Sequence, residues 1–375
     1  MPTTTRAAVL WGHHEDWKIE EVELDDPGHG EVLVKTSYAG MCHSDEHVVQ
    51  GDMPVPHFPF IGGHEGSGVV EAVGPGVDTV APGDHVAMSF VPSCGRCKWC
   101  AKGQQNLCDL GAKLFDLQMI TREPGSVSHR LGDTEAARFA QVGSFAEHML
   151  LSQDSLVKIE EDLPLDVAAL VSCGVATGWG SAVYRANVTA GDTVAVIGVG
   201  GVGINAVQGA AMAGAKRVIA IDPVEFKREK AMEMGATHTY SSIEEASLAV
   251  PDLTWGDMCD SVILVPGVVT GDMIEPALNL ASKGGTLVVT AIGNMLETDT
   301  ALNLFMLSML NKEIKGTIFG SGNPRADIPN LLSMYREGTL KLDELITNRY
   351  PLDDINRGYQ DLRDGKNIRG VIDFT

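Results

Sequence analysis

GDTVAVIGVGGVGINAVQGAAMAGAKRVIAID, residues 191–222, is the stretch on which the fold turns. An apolar run suited to a buried strand leads into a glycine-rich turn, an alanine-rich segment of helical composition and a second apolar run that stops at Asp222. Gly198, Gly200 and Gly203 match the pattern GxGxxG, and Asp222 follows the last of them by nineteen residues. In such a turn the first glycine permits the tight bend, the second lets a pyrophosphate approach the backbone, and the third allows helix to pack closely on strand. The helix start then offers unpaired amides and a partial positive charge. Glycines alone would also suit a turn that binds nothing; strand, helix and acid in register favour a dinucleotide. A carboxylate at Asp222 can accept from an adenosine ribose 2′-hydroxyl and repels a 2′-phosphate, favouring NAD over NADP. Lys227 stands near enough downstream to join the cofactor contacts, although it and Arg228 also suit a solvated helix face.

Outward from this unit the alternation continues. Strand candidates at 261–265 (SVILV) and 286–290 (TLVVT) are separated by helix-like segments such as 224–234 and 270–281, which indicates a parallel sheet covered by helices. A helix over about 326–337 and a return to strand in NIRGVIDF close the chain. The first 170 or so residues differ: GEVLVKTSYAG, GHEGSGVVEAVGPGV and PGDHVAMSFV are short β-branched runs punctuated by Gly and Pro, and predict a β-rich domain. The polar, weakly periodic stretch 113–140 reads as a long surface excursion. With 375 residues, 44% of them apolar, two domains are expected.

A formal net charge of −22, with no basic run to relieve it, repels phosphate backbones and anionic lipid, which excludes nucleic acid and membrane as partners. The N-terminus lacks the apolar length of a signal segment, and no apolar run approaches the roughly 18 residues of a membrane span. A reducing cytoplasm is the expected location, and there clustered thiols favour metal over disulfide.

Four of the seven cysteines lie in CGRCKWCAKGQQNLC, residues 94–108. Cys94, Cys97, Cys100 and Cys108 can give tetrahedral zinc four thiolates. An iron–sulfur cluster is the rival, but its usual run closes with a CxxxCP spacing that this segment lacks. Four protein ligands fill the sphere, so a zinc here holds structure and leaves no place for substrate. Chemistry falls to dispersed residues: Cys42 in GMCHSDEH, His64 in GGHEGSG and Cys173 in SCGVATGWG. Two thiols and an imidazole would leave a fourth zinc position open, although each residue taken singly also suits a buried core.

Taken together, GMCHSDEH, GGHEGSGVVEAVGPGV, PGDHV, the four-cysteine lobe, SCGVATGWGSA, GVGGVG with Asp222, and NIRGVI resemble the zinc-containing medium-chain alcohol dehydrogenases, in the same order and over nearly the whole chain. WGHHEDW, SCGRCKWCAKGQQNLCDLGA, ATGWGSAVY, IDPVEFKREKA and SGNPRADIP are similar to the actinobacterial NDMA-dependent branch, the nicotinoproteins, whose NAD is held tightly and recycled in place. The resemblance implies an α/β protein: a GroES-like β-rich catalytic domain at 1–174 and 318–375, enclosing a Rossmann NAD-binding domain at 175–317, with the active site in the cleft between them. It implies two zinc ions per chain, one structural and one catalytic, the latter on Cys42, His64 and Cys173, with Asp45 and Glu65 as carboxylates beside those ligands. Ser44 and His47 then match a proton relay, His43 and Arg369 neighbours of the cofactor pyrophosphate, Thr177 and Val202 neighbours of the nicotinamide, and Phe90 a wall of the alcohol pocket. The implied reaction is hydride transfer between a primary alcohol or aldehyde and NAD. A dehydrogenase of formaldehyde–thiol adducts and a noncatalytic dinucleotide-binding protein are the alternatives. KEIKGTIFG is expected to supply an edge strand through which a homodimer or homotetramer assembles.

Overall fold

In the computed structural model, residues 3–123 and 125–375 are described. They divide into two units: Cys173 ends the first segment of one unit, which Asn323–Thr375 completes, and Gly174–Gly322 forms the other. The crossing points lie one residue before and five residues after those expected. Gly320 explains the later one. It adopts φ +60, and a Cβ there would sit 2.6 Å from the Thr177 carbonyl, so 318–322 stays packed on the helix Ala176–Gly180.

In the smaller unit six strands form one parallel sheet among the described residues, in the order His238–Tyr240, Arg217–Ile221, Thr193–Ile197, Cys259–Leu264, Ala281–Val289, Glu313–Gly316. Numbered along the chain this is 3-2-1-4-5-6, the doubly wound order in which ligands meet the carboxyl ends of the strands near the switch between strands 1 and 4. Thr193–Ile197 holds the centre because all five of its residues are buried. Ala195, Ile197, Ile219, Val262, Leu264 and Leu287 form the core that the helices cover.

The larger unit is built on two β-sheets. Glu31–Gly40 is long enough to pair with His148–Ser152 along its first half and Arg369–Asp373 along its second, while Ser67–Val73 lies on its other side. That junction brings residues near 40, 65 and 369 together from distant parts of the chain.

The stretch 113–140 departs from the surface excursion expected of it. Met119, His129, Ala137, Arg138, Phe139 and Ala140 are buried, and its strands join both ends of one sheet. Several of its polar groups are buried and matched, so polarity did not always mean exposure. The Arg122 guanidinium donates from Nε and Nη2 to the two Glu31 carboxylate oxygens, both at 2.8 Å, and from Nη1 to Asp25 at 2.6 Å. By length and composition alone the 21-residue helical run Leu165–Arg185 is apolar enough to cross a membrane. Of its most apolar window, 83% is buried inside the protein, and core packing accounts for its composition.

Candidate active site and metal centres

Cys42 sits in extended backbone just before the helix His43–Gln50. His64 and Glu65 follow Gly63, whose φ of +87 and whose missing Cβ, 2.6 Å from the Phe145 backbone nitrogen, both demand glycine. Cys173 lies in the π-helical turn Val171–Val175, a widening that often marks functional positions. One ligand atom each from Cys42, His64, Glu65 and Cys173 falls within 4.8 Å of all the others, and all four residues are buried.

His64 Nδ1 stands 3.2 Å from Asp45 Oδ2, an ion-pair distance whose angles fall short of a hydrogen bond, while Asp45 Oδ1 accepts from the Gly63 amide at 2.8 Å. His64 Nε2 faces the cluster, 4.0 Å from Glu65 Oε1. Both His64 nitrogens and Glu65 Oε1 lack a hydrogen-bond partner among the described residues. Buried polar atoms left unpaired are costly, and here they converge with two sulfurs, a donor set that fits zinc. The Cys173 thiol beside Cys42, against the penalty of burial and with help from His64 and Arg369, holds Cys42 well below the usual thiol range. Burial opposes a charge on His64, but Asp45 and Cys42 carry it well above its ordinary value. Glu65 is pushed up to about 7, chiefly by burial.

Glu65 was expected beside the ligands; its Oε1 lies among them. Its Oε2 is paired with Arg369, which is buried and turned onto this carboxylate, so that one arm of the residue expected at the pyrophosphate neutralises Glu65. Gly40 makes the pair possible, since a Cβ there would overlap the carboxylate. The Arg369 Nε has no hydrogen-bond partner among the described residues. Ser44 Oγ lies 3.6 Å from Cys42 Sγ. His47 is buried, with Nδ1 3.1 Å from Asp52 Oδ2. His43 opens the same helix and is partly exposed. Phe90 meets the His64 ring edge-on at 5.6 Å. Sequence reasoning missed Phe139, whose ring lies 4.7 Å from that of His64, because it belongs to the stretch read as surface.

The four thiols of 94–108 form a second cluster, their sulfurs within 4.8 Å of one another. Cys97 and Cys108 sulfurs are 4.0 Å apart, far beyond the ~2.05 Å of a disulfide and close to the ~3.8 Å edge of a tetrahedron with ~2.3 Å zinc–sulfur bonds. Backbone amides of Cys97, Cys100 and Asp109 donate to these sulfurs at 3.4–3.5 Å. The Cys100 and Asp109 amides bring Cys97 down to about 6, as suits a metal ligand. Cys259, the remaining thiol, is a core residue that burial pushes up to about 12.

In the smaller unit Gly198 takes φ +86 with its Cβ position 2.5 Å from the Val265 carbonyl. A Cβ on Gly203 would lie 1.8 Å from the Gly198 carbonyl, which is the close approach of helix to strand inferred from the pattern. Asp222 Oδ2 accepts from the Val199 amide at 3.0 Å and Oδ1 from Val224 at 2.9 Å. Gly200 is open on one side, with Lys227 Nζ 3.9 Å from its Cβ position. Arg228 instead caps the Asp222 carbonyl at 2.7 Å. Val202 packs its carbonyl against Gly178, and the buried Thr177 Oγ1 has no partner among the described residues.

A doubly wound unit, a four-thiol centre and a separate buried cluster of two thiols and an imidazole define a zinc-binding dehydrogenase class. Residues 28–161 match the family described as alcohol dehydrogenase GroES-like domain, and 201–337 the one described as zinc-binding dehydrogenase. NDMA-dependent alcohol dehydrogenase of Amycolatopsis methanolica is 52% identical over 98% of both chains, and alcohol dehydrogenase B of Mycobacterium tuberculosis 48% identical over 99% of this chain and 98% of its own. The crystal structure of benzyl alcohol dehydrogenase from Acinetobacter calcoaceticus superposes with a TM-score of 0.91 at 29% identity, covering all of both chains. The chain belongs to the zinc-containing medium-chain alcohol dehydrogenase family, and is an oxidoreductase.

Proposed function

We propose that the protein oxidises primary alcohols to aldehydes, and reduces them in reverse, with NAD that stays bound between turnovers. The convergence of Cys42, His64 and Cys173, with His64 Nε2 buried and without a hydrogen-bond partner among the described residues, carries this reading. Zinc held there would supply a Lewis acid for the alcohol oxygen, and NAD would accept the hydride. Asp45 orients the imidazole so that Nε2 faces the ligand cluster. Ser44 Oγ, beside Cys42, would receive the alcohol proton, and His47, with Asp52 at its Nδ1, would hand it on. Asp222, Lys227, the three glycines, Thr177, Val202, His43 and the unengaged Nε of Arg369 serve the cofactor. Similarity to the NDMA-dependent relative supports retained NAD.

A homodimer or homotetramer in the cytoplasm completes the proposal. Leu304, Phe305 and Met309 are 66–69% exposed on the short helix that precedes the edge strand Glu313–Gly316, and apolar exposure beside an unpaired edge favours self-association. The test is purified protein incubated with benzyl alcohol or ethanol, free NAD and an artificial acceptor in separate arms, with S-(hydroxymethyl)glutathione as a rival substrate. Turnover of alcohol with the acceptor, and native mass showing two zinc ions and one NAD per chain, are expected. Oxidation of neither alcohol in any arm would refute it, and turnover of the thiol adduct alone would favour the second reading.

A further inference from the structure

Gln141 is buried where the backbone passes through two successive left-handed residues, Ala140 at φ 51 and Gln141 at φ 62. Side chains other than glycine adopt that conformation only where surrounding contacts hold them to it. The contacts are specific. Gln141 Nε2 donates to the carbonyls of Lys113 at 3.1 Å, Asp116 at 2.8 Å and Gln118 at 3.1 Å, while Oε1 accepts from the Ile120 amide at 3.2 Å and Arg138 Nη2 at 3.1 Å. Arg138, itself buried, adds a bond to the Leu117 carbonyl at 3.4 Å. One amide thereby donates only to the arc 113–120 and accepts from both the arc and Arg138, a combination that neither a carboxylate nor an aliphatic side chain offers.

That arc carries Phe115, whose ring stacks on Phe139 at 5.9 Å and 28°; Phe139 in turn lies 4.7 Å from His64. Phe90 also meets the His64 ring, edge-on at 5.6 Å. We propose that Gln141 is a positioning residue that sets alcohol selectivity: by fastening the arc 113–120 it holds Phe115 against Phe139 and so fixes an aromatic wall beside His64, against which a ring-bearing alcohol packs. The proposal rests on the alcohol-oxidising function above.

The test compares Gln141→Leu, Gln141→Glu, Phe115→Ala and the double variant Gln141→Leu/Phe115→Ala, each loaded with zinc and NAD, on benzyl alcohol and ethanol. Gln141→Leu is expected to raise KM for benzyl alcohol about tenfold, the size of one lost aromatic contact, with kcat and both constants for ethanol within about twofold. Phe115→Ala should reproduce the shift, and the double variant should add less than about twofold to it, because both changes remove the same wall. Equal losses on both alcohols, multiplying effects in the double variant, or an unchanged benzyl alcohol KM in Phe115→Ala would overturn the proposal. Should Gln141→Leu fail to fold, Gln141→Glu, which keeps the acceptor and loses the donors, and Phe115→Ala still decide it. An unaltered enzyme that oxidises neither alcohol would instead sink the function on which the proposal stands, a result distinct from altered selectivity among active variants.

Discussion

Replacing Asp45 with Asn isolates one contact behind the proposed catalytic metal site. Asp45 is fully buried; one oxygen accepts from the Gly63 amide at 2.8 Å and the other stands 3.2 Å from His64 Nδ1. A carboxylate there keeps the proton on Nδ1, leaves the Nε2 lone pair directed at the cluster, and makes the imidazole a more basic ligand. Asn preserves size and an acceptor for Gly63 but removes the charge. Loss of such a partner typically weakens metal binding about 10–100-fold, which is about 1.4–2.7 kcal/mol. Asp45→Asn should lie near the lower bound, and Asp45→Ala, which also strands the Gly63 amide, near the upper. Zinc release to a competing chelator measures this, with the four-thiol centre as an internal reference because none of its ligands touches Asp45. Asn and Ala variants that release the weaker zinc at the unaltered rate, or lose both ions together, would refute the reasoning.

Other consequences lie elsewhere in the molecule. Gly203→Ala would bring a Cβ to 1.8 Å from the Gly198 carbonyl, so helix and strand must part by at least about 1.2 Å to reach the 3.0 Å that real contacts respect; purified variant should lose its NAD while keeping two zinc ions, and retention of NAD would contradict the packing role. Cys108→Ser should reduce the metal count from two to one per chain by native mass and leave the zinc that supports turnover in place, whereas two retained ions would count against the four-thiol site. Burial pushes Glu31 and Asp25 upward, but Arg122, with Thr121 and Gly28 at Glu31 and with Arg130 at Asp25, outweighs it and holds them below their ordinary 4.5 and 3.8. Carboxyls depressed on folding stabilise the native state above their unfolded values and lose that contribution as pH falls through the folded ones, so acid titration followed by circular dichroism should show loss beginning near pH 4.5 and deepening below 3.8. Arg122→Met should cost about 3 kcal/mol at neutral pH, the lower end for a buried carboxylate that loses its cation, because the Thr121 hydroxyl and Gly28 amide still donate to Glu31, and an unchanged urea midpoint would argue against it.

The doubly wound unit was legible because its determinants are local: apolar runs, three glycines at fixed spacing and an acid at the end of the next strand all lie within 191–222. The four-thiol centre was legible for the same reason. Cys42, His64 and Cys173 are scattered, and the expectation that they converge came from family resemblance, since spacing over more than a hundred residues carries no geometry. What escaped was pairing among buried polar groups. Arg369 on Glu65, Arg122 on Glu31 and Gln141 on the arc 113–120 are contacts of high sequence separation between residues that, read singly, belong on a surface. Hydrophobic periodicity has no means of registering a charge made burial-competent by a distant partner, and for that reason 113–140 looked like a loop although it backs His64 through Phe139.

Diffraction data collected on either side of the zinc absorption edge test the central claim most directly. Two anomalous peaks per chain are predicted, one among Cys94, Cys97, Cys100 and Cys108, and one bonded to Cys42 Sγ, His64 Nε2 and Cys173 Sγ. A zinc-replete crystal with a single peak at the four thiols, and with Cys42, His64 and Cys173 turned away from one another, would contradict the account.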